Sequence, residues 1–204
     1  MKRAIALLAI LSPASAADVF TDSAGGAKVH EPSGFVCPLK IGEFERDAVG
    51  QYDPETRTDY CAYSALDGVY GSIMLRPMPK AYDPKAMLDA DFTVQEGAGG
   101  RILNEWIQPI GPKGAPLSVY LRSYETAHLE NQHYCTLFAS AAVGAWAVQV
   151  TIEYADPKDK DLEQAFLEAV YTAAAKIGTA PAIPDAHGAG VTKTGFTSLD
   201  QYKR

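Results

Sequence analysis

The nine residues WAVQVTIEY (146–154) alternate without a break. Trp146, Val148, Val150 and Ile152 face one way, and Ala147, Gln149, Thr151 and Glu153 the other. Successive side chains of a strand point to opposite faces, so this period predicts a long β-strand. VYGSIML repeats the pattern, with Val69, Gly71, Ile73 and Leu75 on one side and Tyr70, Ser72, Met74 and Arg76 on the other. ILNEWIQPI and LSVYLRSYETA are also β-rich, and the IGPKGAP between them reads as a turn through its glycines and prolines. Long β stretches joined by tight turns predict a mostly antiparallel sheet.

Two segments carry a different period and share an opening device. In YDPKAMLDADFTVQ and ADPKDKDLEQAFLEAVYTAAAKIG an aspartate (Asp83, Asp156) is placed to cap the first amides. The proline after it (Pro84, Pro157) suits the first helical position. In the second segment Leu162, Phe166, Ala169, Val170, Ala173 and Ile177 recur at helical spacing, and Gly178 supplies a stop. Each such helix needs an apolar surface to lie on. The expected fold is therefore α+β: a mostly antiparallel sheet covered by two helices. The expected organisation is residues 1–16 as a leader, 17–33 as an irregular lead, 34–178 as a single domain and 179–204 as a mobile tail rich in Gly, Pro, Ala and Thr.

The SGF opening segment, the paired strands, the helix opened by DPK, the strand RILNEWIQPIG, a further antiparallel pair and a closing LEQAFLEAV helix together resemble the PsbP/Mog1-like fold group. The resemblance covers about residues 33 to 178. It implies an α/β/α sandwich used for binding and assembly, and it carries no catalytic residues over to this chain.

The first sixteen residues, MKRAIALLAILSPASA, have the three parts of a secretory leader. Lys2 and Arg3 are the positive start, Ala4 to Leu11 the apolar core, and Ala14-Ser15-Ala16 the small-residue cleavage signal. The apolar run is shorter than the roughly 20 residues a bilayer span needs. The expected product begins at Ala17, is periplasmic or secreted, and is not inserted in a membrane. It has 188 residues, enough for one domain with an ample core, and a formal charge of −9 against −7 for the whole chain. That acidic balance, with no cluster of Lys and Arg, excludes nucleic acid as an expected partner.

In an exported chain the three cysteines read first as disulfide candidates. Joining Cys37 to Cys61 is the favoured pairing and leaves Cys135 spare; Cys61 with Cys135 is the second. A metal-binding alternative centres on His133 and Cys135, which share a face if AHLENQHYC is a strand, with His128 nearby. The plainer reading makes His133 an ordinary strand residue and Cys135 a small buried one. The apolar and aromatic neighbours of Cys37 and Cys61 argue against reactive thiols.

No G-x-S-x-G elbow is present, and GAGGR (97–101) lacks the lysine of a phosphate loop. A hydrolase with dispersed catalytic residues remains the enzymatic alternative; no catalytic residue, metal or cofactor is otherwise expected. The eleven tyrosines stand out instead. Tyr60 and Tyr70 can bury a ring and keep a hydroxyl at the surface, and Tyr120, Arg122 and Tyr124 share one side of LSVYLRSYE as a possible binding face. The expectation is a non-enzymatic binding or assembly module that engages an unidentified protein or small ligand through a sheet face or cleft. N-terminal sequencing of the protein from its native extracytoplasmic fraction should begin at Ala17; an intact Met1 in a cytosolic fraction would overturn the export reading.

Overall fold

The computed structural model describes residues 19–78, 81–89, 101–129, 132–154 and 160–177, with the side chains of 67 and 126–134 outside that description. Its strands are β1 (Phe20–Asp22), β2 (Lys28–His30), β3 (Phe35–Cys37), β4 (Lys40–Ile41), β5 (Phe44–Asp53), β6 (Thr58–Ala65) and β7 (Val69–Pro77), followed by β8 (Arg101–Ile110), β9 (Leu117–Leu129), β10 (Gln132–Val143) and β11 (Trp146–Tyr154). Helix α1 occupies residues 84–89 and α2 runs Lys160–Ala174. An eight-stranded sheet has the order β4-β5-β6-β7-β11-β10-β9-β8, and β1-β2-β3 form a separate small sheet. Every pairing is antiparallel.

The fold is α+β with a mostly antiparallel sheet, as the alternating segments predict. β11 lies at the centre of the large sheet between β7 and β10, with Val150 opposite Ile73 and Ala139. Its inner residues Val148, Val150 and Ile152 join Ile73, Leu75, Leu121, Leu137 and Ala139 in one core, all at or below 1% exposure.

Helix α2 crosses this inner face. Phe166 sits between Phe44 (ring centroids 4.5 Å apart) and Tyr63 (5.6 Å). It lies directly on Gly71, where an added Cβ would come within 2.8 Å of the ring. Farther along, Tyr171 donates to the Val148 carbonyl (3.4 Å), and Glu168 accepts from the amide of Gly111 (3.2 Å) in the β8–β9 turn. The buried stripe is Phe166, Leu167, Val170, Tyr171, Ala174 and Ile177. Ala169, read from its spacing as part of that stripe, is exposed. The stripe is rotated toward Leu167 and Tyr171 because the large rings of Phe166 and Tyr171 set the contact. The expected cap at Asp156 and Pro157 lies outside the described residues. The equivalent cap of α1 forms: Asp83 Oδ1 accepts from the Lys85 amide at 2.9 Å.

The expected irregular lead over 17–33 instead holds β1 and β2, and with β3 these make a second inner-face cover that two helices alone would not provide. Four links tie this small sheet and the loop after it to the large one. Cys37 on β3 is bonded to Cys61 on β6. His30 Nε2 lies 2.9 Å from Asp59 Oδ2 on β6, Tyr63 donates to the Pro38 carbonyl (3.1 Å), and Arg46 donates to the carbonyls of Cys37 (2.6 Å) and Gly26 (2.7 Å). The favoured pairing is the one formed; Cys135 is a buried thiol outside the disulfide. Residues 1–16 and 179–204 lie outside the described residues, and no described helix is long and apolar enough to cross a membrane.

Replacing Cys37 and Cys61 together by serine should lower stability by about 3.5 kcal/mol, the chain-entropy value for a loop of about 25 residues. Equilibrium urea unfolding measures this, and an unchanged midpoint would mean that the noncovalent links alone hold the joint.

Candidate functional site

The strand registers lay out the outer face of the large sheet, opposite α2, as rows of cross-strand neighbours. One row runs Ile102, Tyr124, Thr136, Glu153, Tyr70, Ser64; the next Glu105, Arg122, Phe138, Thr151, Ser72, Ala62, Ala48; the third Ile107, Tyr120, Ser140, Gln149, Met74, Tyr60, Gly50. This face divides into a closed half and an open half.

Over β9 and β10 the face is covered by α1, while Ile102 and Ile107 on β8 stay exposed (37% and 66%). Leu88 packs with Tyr124 and Phe138, and Tyr82 shares a hydrogen bond with Ser140 (2.8 Å). Arg122, 1% exposed, is the centre of this half. Its Nε donates to Glu105 Oε1 (2.5 Å) on the opposite strand, Nη2 donates to Asp89 Oδ1 (2.7 Å) on α1, and Nη1 to Tyr124 Oη (3.3 Å). The Tyr124 hydroxyl donates in turn to the Leu88 carbonyl at 3.3 Å. Burial would lower the pKa of Arg122, but these partners outweigh it and raise the value, keeping the guanidinium charged. Burial would raise the Glu105 carboxyl, yet the hydrogen bond and charge of Arg122 outweigh that and hold it below the usual range. Lys85 adds a second cation 3.6 Å from Glu105.

Tyr120, Arg122 and Tyr124 are thus brought together on one side of β9 as the alternation predicts. They do not form an open surface: Arg122 and Tyr124 are buried under α1, and Tyr120 is half-buried beside Glu105, to which it hydrogen-bonds. Arg122 is buried while its carboxylate partners remain part-exposed, Asp89 at 55% and Glu105 at 30%, and the Asp89 contact fastens α1 to the sheet.

Over β5, β6, β7 and the Thr151–Glu153 end of β11 no described element covers the same face, whereas Gln149 farther along β11 is buried. Tyr60, Ala62, Ser64, Tyr70, Ser72, Met74, Thr151 and Glu153 are all half-buried. The Tyr60 ring lies over Gly50, where a Cβ would stand 3.2 Å from it. Low side chains in the middle row (Thr151, Ser72, Ala62) separate Tyr70 and Glu153 from Met74 and Tyr60. With alternate residues on a strand about 6.7 Å apart, those two walls stand about 13 Å from each other.

Glu153 is the unusual group in this open half. Its register neighbours are Tyr70 and Thr136, and it has no hydrogen-bond or ion-pair partner among the described residues. Burial alone raises its carboxyl above the usual range. Sequence reasoning placed Glu153 on the correct face but could not mark it, because the signal is the lack of a cation opposite it.

Two other constellations have chemical character. Ser33, His30 and Asp59 lie in line, with Ser33 Oγ 2.6 Å from His30 Nδ1. With the Nε2 proton donated to Asp59, Nδ1 accepts from the Ser33 hydroxyl, whose oxygen accepts from the Phe35 amide (3.1 Å). All three residues are at most 1% exposed and the His30 ring lies against Phe20 and Trp146, so no substrate carbonyl reaches the hydroxyl. This trio is part of the joint between the sheets. Of the proposed metal ligands, Cys135 is buried on β10, while the His128 and His133 side chains lie outside the described residues. No group of three or more His, Cys, Asp or Glu able to hold a metal occurs among the described residues.

No family model matches the chain, and no curated protein matches it. The structure is similar to the solution structure of cyanobacterial PsbP (CyanoP) from Synechocystis sp. PCC 6803, with a TM-score of 0.43 and 11% identity over 80% of this chain and 96% of that one. At that level the similarity carries no statement about activity or partners.

A carboxyl whose pKa is higher folded than unfolded contributes most below its unfolded value, here near 4.5, and loses that contribution as pH rises through the folded value. Glu153→Gln should therefore stabilise the protein at pH 7 and make no difference near pH 3. Urea unfolding at the two pH values measures this, and a destabilised variant at pH 7 would show a partner for the carboxylate in the folded chain.

Proposed function

We propose that this chain is an exported, non-enzymatic binding or assembly module that engages a partner through the open half of its outer sheet face. The observation that carries this reading is the division of that face. Strands β9 and β10 are covered by α1 and an ion cluster, while the adjoining part keeps two tyrosines, a methionine and a carboxylate with no partner among the described residues, all half-buried on strands. Aromatic side chains with an apolar body and a polar tip suit recognition surfaces, and strands hold them with little conformational entropy to lose on binding. The closed Ser33–His30–Asp59 trio gives the hydrolase alternative no accessible nucleophile at that site.

The leader supports export, and a disulfide that ties the two sheets together suits an oxidising compartment. Ser72 lies in the middle of the open half, two strands from the sheet edge at β4-β5. Ser72→Arg should keep the fold and abolish stoichiometric capture of the partner that the native protein recovers from extracytoplasmic extract. Capture of the same partner by Ser72→Arg at native yield would place binding elsewhere on the molecule.

A further inference from the structure

We infer that the open half of the outer face receives a basic side chain, lysine or arginine, of a partner polypeptide, with Glu153 as its counter-charge. This rests on the reading of that face as the binding surface and adds the chemistry of what it takes. The geometry supplies each part. Glu153 stands on the central strand β11, flanked by Tyr70 on β7 and Thr136 on β10, and its carboxylate is desolvated without a hydrogen bond or cation among the described residues. Among the described basic residues of the face none serves it, and Lys85 is engaged with Glu105. Arg122 is committed to Glu105 and Asp89, and Arg76 stands opposite Ala147, six residues along β11 and about 20 Å from Glu153.

A carboxylate left half-buried and unpaired costs stability that an incoming cation recovers. Tyr70 is its register neighbour on β7, an aromatic residue of the kind that attracts a cation, and half-buried Met74 lies on the same strand about 13 Å away. The trough spans β11, β7, β6 and β5, about 14 Å at 4.8 Å per strand, which fits a segment of polypeptide better than a small amine. The acidic net charge of −7 favours a basic partner at long range. Glu45, on β5 of the same face, already pairs with Lys40 (2.9 Å) and is exposed, so it serves as the control.

The test titrates the purified chain, followed by amide NMR shifts at 0.15 M salt, with a capped six-residue peptide carrying one central lysine and with its Nε-acetylated twin. The expected result is shifts at Tyr70, Ser72, Thr151 and Glu153. Affinity should fall about tenfold for the acetylated peptide and about tenfold for Glu153→Gln, and stay unchanged for Glu45→Gln. No binding, equal binding of both peptides, shifts confined to other surfaces, or native affinity in Glu153→Gln would each overturn the inference. The capture experiment separates this failure from the wider one. If Ser72→Arg loses the native partner while Glu153→Gln keeps it, the face stands and the cationic ligand falls; if Ser72→Arg keeps the partner, both fall.

Discussion

An eight-stranded sheet is about three helices wide, and that mismatch governs the architecture. At 4.8 Å per strand the large sheet spans roughly 34 Å, against 10–12 Å for a helix with its side chains. On the inner face α2 covers a diagonal band from Tyr63 and Gly71 to the β8–β9 turn. The rest of that face is completed by the β1-β2-β3 sheet, which brings Phe20, Phe35 and Cys37 into the common core. Strands of three residues have little stability of their own, so this cover depends on its attachment. Covalent, aromatic and polar links converge there: Cys37 with Cys61, the His30 ring edge-on to Trp146 at 5.1 Å, and His30 with Asp59.

The outer face answers the same width differently. Among the described residues α1 is its one helical cover, and α1 is held by a charge rather than by a broad apolar stripe. Arg122 reaches Asp89 on the helix and Glu105 on the neighbouring strand at once, so helix, β8 and β9 are fixed by a single guanidinium. A charged anchor of this kind contributes little net stability but specifies one arrangement, since any other placement of α1 would take Asp89 away from the buried cation and leave it with Glu105 alone. The consequence is a border at β10, beyond which no described helix lies on the outer face.

The strands, the disulfide and the α1 cap were legible because their causes are local. Period two over nine residues in WAVQVTIEY leaves no other regular structure, and Asp83-Pro84 satisfies a capping requirement within one turn. The lead over 17–33 was misread because FTD and KVH are too short to display a period. They are strands because Phe20 packs on His30 and His30 meets Trp146, more than a hundred residues away. Arg122 was placed on the correct side of β9, but its burial depends on Asp89, 33 residues earlier in the chain. A sequence displays a side chain's face; it does not display what is laid over that face.

Glu105 and Glu153 lie on the same outer face, one on an edge strand and one at the centre, and their opposite fates define the site. Glu105 is stabilised as an anion by Arg122 and belongs to the folded architecture. Glu153 is destabilised as an anion by burial that no described partner offsets. A glutamine of the same size at position 153 would keep every contact the fold makes there and remove that cost. A half-buried anion of this kind gains from any counter-charge that reaches it, which is the energetic content of the proposed site. Tyr70 and Thr136 are its register neighbours across the two flanking strands, and Thr136 is itself buried.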